Sequence, residues 1–398
     1  LKRFGPVPIV TTSLNINGDY SNVTRPTMDE CVNFIVNECN AAADSLELQP
    51  WRDNTALGHA TKGAALALKS RVLLYAASPL YLDYENLDET HRPTNAAKWE
   101  QAAKAAKAVI DLNVYSLSNN YVQLFHNQFQ DAEYIFMRRY AVSDNLEKAN
   151  FPVSFGGTGG TNPSVNLLDA YEMTDGSDFS WSNATQAANP YADRDSRMDA
   201  TFLFNEQTFH DGKVESYIGG KDGLYQTNAT TTGHYLRKYL NESVNIQTGG
   251  GKLGHTFPYF RLAEIYLNYA EALNEYAPGN PDIEHYVNLV RERSDQPALP
   301  NGLTQDEMRE RIRRERRVEL AFEEHRAWDV RRWKVASSTL GAPLKGMRIE
   351  RDNTQATPTY TYTPYVVEQR VFQPKMYWYP IPQSELLKLK GWKQNPQW

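Results

Sequence analysis

The stretch RRERRVELAFEEHRAWDVRRWK, Arg313 to Lys334, decides how this chain is read. It packs seven arginines, one lysine, five acidic residues and two tryptophans into 22 positions. At first sight this is a basic patch of the kind that binds phosphate. The spacing says otherwise. Met308, Ile312, Glu315, Glu319 and Phe322 fall at i, i+4, i+7, i+11 and i+14, one face of a helix on which two glutamates share space with apolar residues. Glu307–Arg311 and Glu310–Arg314 stand at i,i+4 spacing, where opposite charges attract. From Asp306 to Lys334 there are ten basic and eight acidic residues. A nucleic-acid footprint needs Lys and Arg unpaired along one edge. This segment instead reads as internally neutralised, its glutamates accepting bidentate arginine bonds between packed helices.

Bulk composition agrees. The net charge of −6 argues against global attraction to nucleic acid or an anionic membrane surface. No run of 18 apolar residues is present, so no segment reads as a membrane-spanning helix. Cys31 and Cys39 are the two cysteines. On one helix they are separated by roughly 12 Å of rise, too far to pair, because disulfide Cα atoms lie about 4.4–6.8 Å apart. They read as two buried small hydrophobes.

Outward from the opening stretch, further segments carry helical signals. Thr27-Met-Asp-Glu30 is a capping box ahead of Val32, Ile35, Val36 and Cys39, which predicts a helix over Thr27–Leu46. Thr61–Leu82 is rich in Ala and Leu. Asn95–Asn113 carries Trp99, Ala102, Ala106 and Val109 in a pattern similar to the second helix of a tetratricopeptide unit. Paired with Thr61–Leu82 it reads as one helical hairpin, and Pro258–Tyr276 followed by Pro281–Ser294 gives a second. Between these hairpins lies a stretch rich in Gly, Asn, Asp and Thr, with strand-like pieces at Glu133–Met137 and Thr201–Phe204. Its glycine run Gly156–Gly160 lacks a strand-to-helix setting and reads as a flexible loop. Irregular segments of such length inside a compact protein are usually functional or disordered.

Several motifs resemble those of SusD/RagB-family proteins. The late-helix pattern is met by Arg313, Glu315, Arg316, Arg317, Glu319, Leu320, Phe322, Glu323, Arg326, Asp329, Arg332 and Trp333. The closing pattern is met by Tyr379-Pro-Ile-Pro382, Glu385-Leu386 and Asn395-Pro396. Phe4-Gly-Pro-Val-Pro8, Thr61-Lys-Gly-Ala-Ala65, Tyr259–Glu264 and Asp193–Arg197 also match, in order. The resemblance implies a mostly α fold: a tetratricopeptide-like helical-repeat superhelix with a large irregular insertion of loops and short strands. Residues 1–398 form one domain, with 20–114 and 257–334 as the helical scaffold. Residues 115–256 form the ligand-binding insertion, and 335–398 a loop-rich C-terminal segment packed on the scaffold. It further implies a non-catalytic, surface-exposed outer-membrane lipoprotein that binds a glycan and serves a SusC-like TonB-dependent transporter. In the family a first repeat and a lipid-bearing cysteine precede the Phe4–Pro8 motif, so the anchor is expected outside this chain.

Motifs for catalysis and cofactors are missing. Gly251-Lys252 is followed by Leu253, so the phosphate-loop pattern fails, and no H-E-x-x-H, C-x-x-C or G-x-S-x-G occurs. No cofactor is expected. Asp193-Arg-Asp-Ser-Arg-Met-Asp199 has only the first part of a calcium loop. Glycoside cleavage would need two carboxylates at a defined separation, which sequence does not supply. Sugar binding needs a flat aromatic face with polar groups at its edge. Aromatics in polar, turn-rich contexts supply candidates: Trp181, Tyr191, Tyr217, Tyr225 and Trp51, with Asp178, Asn183 and Arg194 as edge groups. The competing reading for each is a loop aromatic folded back onto the helices. Competing functions are a peptide-binding helical-repeat adaptor and a helical glycoside hydrolase.

Overall fold

The computed structural model describes residues 1–15, 17–20, 23–48, 57–126, 131–388 and 391–398. Helix α1, Met28–Ser45, starts at the expected capping box, with the Thr27 hydroxyl on the Glu30 amide and the Glu30 carboxylate returning to Thr27. Helix α2, Lys62–Ala77, is capped by Thr61. It ends before Ser78-Pro79 rather than running to Leu82, because proline disfavours the helical conformation in the residue before it. Residues Pro79–Leu82 form a separate turn. Helix α3, Ala96–Ile110, is capped by Asn95. Cys31 and Cys39 are both free and buried.

The second hairpin departs from expectation at its start. Thr256–Arg261 is a strand, and only Leu262–Tyr276 is helix α4. The strand, β2, pairs antiparallel with β1, Tyr134–Arg139. Pro258 is tolerated because a two-stranded sheet consists only of edges. Helix α5 spans Pro281–Glu292, and helix α6 spans Gln305–Glu319 with a second capping box at Thr304/Glu307. Helix α7 is Arg326–Arg332. Helices α1 to α6 pack in sequence order around α4, which touches α2, α3, α5 and α6. Alanines at the contacts, among them Ala67, Ala106, Ala263 and Ala270, are fully buried and let the helices approach closely.

The region from 115 to 256 is built of short helices, turns and two-residue ladders, as its composition suggests. Its glycine run is close-packed rather than loose. A Cβ on Gly157 would sit 2.1 Å from the Phe151 carbonyl oxygen, so only glycine fits there.

The C-terminal segment contains an element that sequence reasoning missed. Leu344–Asp352 (β3) and Thr359–Glu368 (β4) form a long antiparallel hairpin. Met347 and Ile349 point inward and are fully buried. Together with Tyr360 and Tyr362 they join an insertion core of Val165, Leu168, Tyr171, Tyr191 and Phe202. The hairpin therefore belongs to the insertion as much as to the scaffold.

Candidate functional site

What positions the insertion is a buried ionic seam along α6. Glu319 accepts from Arg197 at 2.9 Å, Arg261 at 2.5 Å and Arg293 at 2.5 Å. Glu323 accepts from Arg261 at 2.7 Å and from Lys238 at 2.8 Å. Glu315 pairs with Arg197 and, at 3.2 Å, with Arg291. Insertion residues Glu133, Asp195, Arg197 and Lys238 thus interleave with scaffold residues. Burial pushes the Glu319 carboxyl up, but Arg293, Arg261 and Arg197 outweigh it and hold the pKa well below the carboxylate range. Burial pushes Lys238 down to about 8, against the pull of Glu323.

The anticipated i,i+4 pairs do not form. Glu307 is used in its capping box. Glu310 pairs with Arg313 at 2.8 Å, while Arg311 and Arg314 reach across to the insertion's buried Glu172 at 2.8 and 3.2 Å. A buried carboxylate attracts more strongly than one facing water, so the longer-range partner wins. Phe322 leaves the helical face, because the chain turns left-handed there with φ of 61°.

The anticipated site residues are scattered over this surface. Tyr191 is buried: its ring stacks on Phe204 at 4.2 Å and its hydroxyl meets His234 Nε2 at 2.9 Å. Arg194 is also buried, donating to the carbonyls of Pro190, Leu168 and Tyr171, each at 2.7 Å. Neither presents a face to a ligand. Asn183 is the cap of a short helix, accepting from the Thr185 and Gln186 amides. Asp178 pairs with Arg314 and, at 3.8 Å, with Arg311. Trp181 is half-buried, its indole Nε1 donating to Asp169 at 2.9 Å. Trp51 lies outside the described residues. Within Asp193–Asp199, Asp195 is committed to Arg197 at 2.7 Å, and no metal-holding group of His, Cys, Asp and Glu occurs among the described residues.

Tyr217 and Tyr225 are different, because the hairpin presents them. The Tyr217 hydroxyl accepts from Arg351 at 2.7 Å, and its ring lies 5.8 Å from that of Tyr360. Tyr225 is 80 % exposed, the highest of the large hydrophobic and aromatic side chains among the described residues. Its hydroxyl meets the Arg348 guanidinium, raising the pKa of that group. Tyr365, on the neighbouring strand, donates to the Thr231 carbonyl at 2.5 Å. The loop is stapled from beneath by fully buried Asp222, which accepts from the Ser154 amide at 2.8 Å and the Ser154 hydroxyl at 2.7 Å.

Tyr225 also sits at φ of 77°, a conformation that glycine or asparagine adopts more easily. Such strain costs about 1–3 kcal/mol and collects at functional sites. An exposed aromatic ring in a strained turn, flanked by a guanidinium and a second tyrosine, is an arrangement that can stack on a sugar ring and hydrogen-bond its hydroxyls. Arg348 and Tyr365 were not singled out from sequence. The alternation Thr-Tyr-Thr-Tyr-Thr at 359–363 opposite Met347 and Ile349 was the available signal for the hairpin that carries them.

Comparison with known proteins places the chain. The SusD family profile matches residues 122–398, so the chain belongs to the SusD family. A SusD-like protein of Bacteroides ovatus is 26% identical over 353 residues, 84% of this chain and 56% of the relative. SusD-like protein P2 of Formosa agariphila is 33% identical over 170 residues, 40% of this chain and 33% of the relative. The chain thus spans well under two thirds of the length of these relatives. Among solved structures, a SusD-like protein of Bacteroides fragilis superposes with a TM-score of 0.83 at 27% identity, covering 100% of this chain and 76% of that one. A SusD-like carbohydrate binding protein of the same species gives a TM-score of 0.79 at 28% identity, covering 98% and 75%.

Proposed function

We propose that this chain is a non-catalytic glycan-binding protein of the outer-membrane surface. In this reading it passes an oligo- or polysaccharide to a SusC-like TonB-dependent transporter. The observation that carries the reading is the likeness, over nearly the whole chain, to a SusD-like carbohydrate binding protein. The α2–α3 and α4–α5 hairpins are then tetratricopeptide-like repeats that serve as scaffold. The Tyr225–Arg348–Tyr365 platform is the sugar surface, with Tyr217 beside it. Stacking on an exposed tyrosine gives shallow, modest binding and needs no buried catalytic apparatus. Attachment to the membrane is through a lipid anchor; among the described residues no helix is long and apolar enough to cross a membrane.

Isothermal titration calorimetry against a glycan panel tests the reading. Binding to at least one glycan, weakened by Tyr225→Ala with the melting temperature held, supports it. Failure to bind any glycan counts against it.

A further inference from the structure

Three cavities adjoin where the insertion, α6, α7 and the C-terminal segment meet. The central one, of about 670 Å³, is walled by Arg317, Arg326 and Arg370. It shares Arg317 and Arg326 with a cavity of about 790 Å³, and Arg370 with one of about 720 Å³ that reaches Tyr379. Together they form a trough. Leu344, at the start of β3, lines it. Arg348 of the tyrosine platform lies four residues further along that strand, roughly 13 Å away.

Arg317 on α6, Arg326 on α7 and Arg370 after β4 differ from other arginines of α6 and α7. Arg309 has Glu275, Arg316 has Asp329 and Arg332 has Glu271. By contrast, Arg317 donates to the Asn166 carbonyl, and Arg370 to the carbonyls of Ala342 at 2.8 Å and Thr339 at 3.1 Å. Arg326 makes no hydrogen bond or ion pair among the described residues, although it is only partly exposed. Two carboxylates line the same central cavity. Asp169 is turned to the Trp181 indole at 2.9 Å, and Glu324 is exposed. Neither forms an ion pair with the three guanidinia.

Guanidinia grouped in a partly dehydrated wall, with Asp329, Glu310 and Asp169 acting on them only from beyond ion-pair distance, are incompletely compensated. Burial first, then the nearby Arg326, lowers the Arg317 pKa to about 10, against the pull of Asp169. A planar oxyanion meets the guanidinium fork with paired hydrogen bonds. Cavities of several hundred Å³ are the size of sites for organic ligands, so the anion fits as a substituent on a larger molecule.

We propose that the Arg317–Arg326–Arg370 junction binds an anionic substituent of a glycan, a uronate carboxylate or a sulfate ester. This rests on the glycan-binding reading above and specifies the class of glycan. The ring bearing the charge lies in the trough, and neighbouring rings follow it towards Tyr379.

The test is calorimetry of the full chain against oligogalacturonate, dextran sulfate, uncharged galactan and dextran, and inorganic sulfate. The expected result is a preference for an acidic glycan over its uncharged counterpart, weakening with added NaCl. Arg326→Gln should lower that affinity by about tenfold or more, a larger loss than for any uncharged glycan, and Arg326→Lys should recover part of the loss. Arg326 has no hydrogen bond to lose, so unchanged melting of the Gln variant checks that the fold is intact. Equal binding of charged and uncharged glycans, or acidic binding indifferent to Arg326→Gln, would overturn the acidic site while leaving the glycan reading standing. Binding of inorganic sulfate without any acidic glycan would also overturn it. Absence of binding to every glycan removes both.

Discussion

Two sets of arginines gathered around α6 from different parts of the chain behave in opposite ways. Beneath the insertion, Arg197, Arg261 and Arg293 converge on Glu319, and each is almost fully buried. Around the trough, Arg317, Arg326 and Arg370 have carbonyls or nothing as partners. The difference teaches that residue type does not fix the role of an arginine in this chain. The supply of carboxylates at the matching depth does. Where the insertion brings Glu133 and Glu172 down, the charges close into a seam. Where it brings none into contact, they face the cavity.

The largest way to break that comparison is to remove the hub of the seam. Glu319→Gln removes the one carboxylate that Arg197, Arg261 and Arg293 share, leaving them Glu315, Glu323 and Glu133, and should destabilise the protein by about 3 kcal/mol, read as a lower midpoint in urea unfolding. A loss below about 1 kcal/mol would mean that the seam does not hold the insertion.

Acid should act on the insertion core almost as strongly. Burial lowers the His234 pKa to about 3, so the folded protein keeps this ring neutral where the unfolded chain protonates it near 6.5. Its contribution is fully present above pH 6.5 and is lost as pH falls towards 3. At pH 4 the loss is on the order of 3 kcal/mol. His234→Gln, which keeps a partner for Tyr191, should flatten this part of the acid limb. A variant with the wild-type pH profile would show that other groups control it.

Smaller effects sharpen the contrast. Arg332 pairs with Glu271 and Asp329, so Arg332→Gln should cost several kcal/mol, whereas Arg326→Gln should change stability by less than about 0.5 kcal/mol. Equal losses in thermal melts would erase the distinction between seam and trough. Tyr225→Gly should relieve the positive φ and stabilise by about 1 kcal/mol while weakening glycan binding. A loss of stability would instead make Tyr225 a packing residue.

Much of the scaffold was legible in sequence because its signals are local. Thr27/Glu30, Thr61 and Asn95 mark helix starts within one turn, and Pro79 marks a stop. The start of α4 was misplaced because Thr256–Arg261 is extended only through pairing with Tyr134–Arg139, more than a hundred residues earlier. The hairpin at 344–368 was missed for a related reason: its inward tyrosines find their core in the insertion. Among the candidate site residues, turn-rich context marked surface loops but not depth. Tyr191 and Tyr225 stand in similar surroundings, yet one is 7% exposed and the other 80%.

By itself, then, the sequence determined the helices, their caps, the unpaired cysteines and the membership of the SusD family. These depend on hydrogen bonds and side-chain spacing within a few residues. Tertiary structure alone decided which glutamate each arginine meets, and therefore which arginines are left over. Buried carboxylates at long range outcompete neighbours on the same helix, because attraction grows as water is excluded. The i,i+4 partners written into α6 gave way to Glu172 for that reason, and the trough is where no such partner arrived.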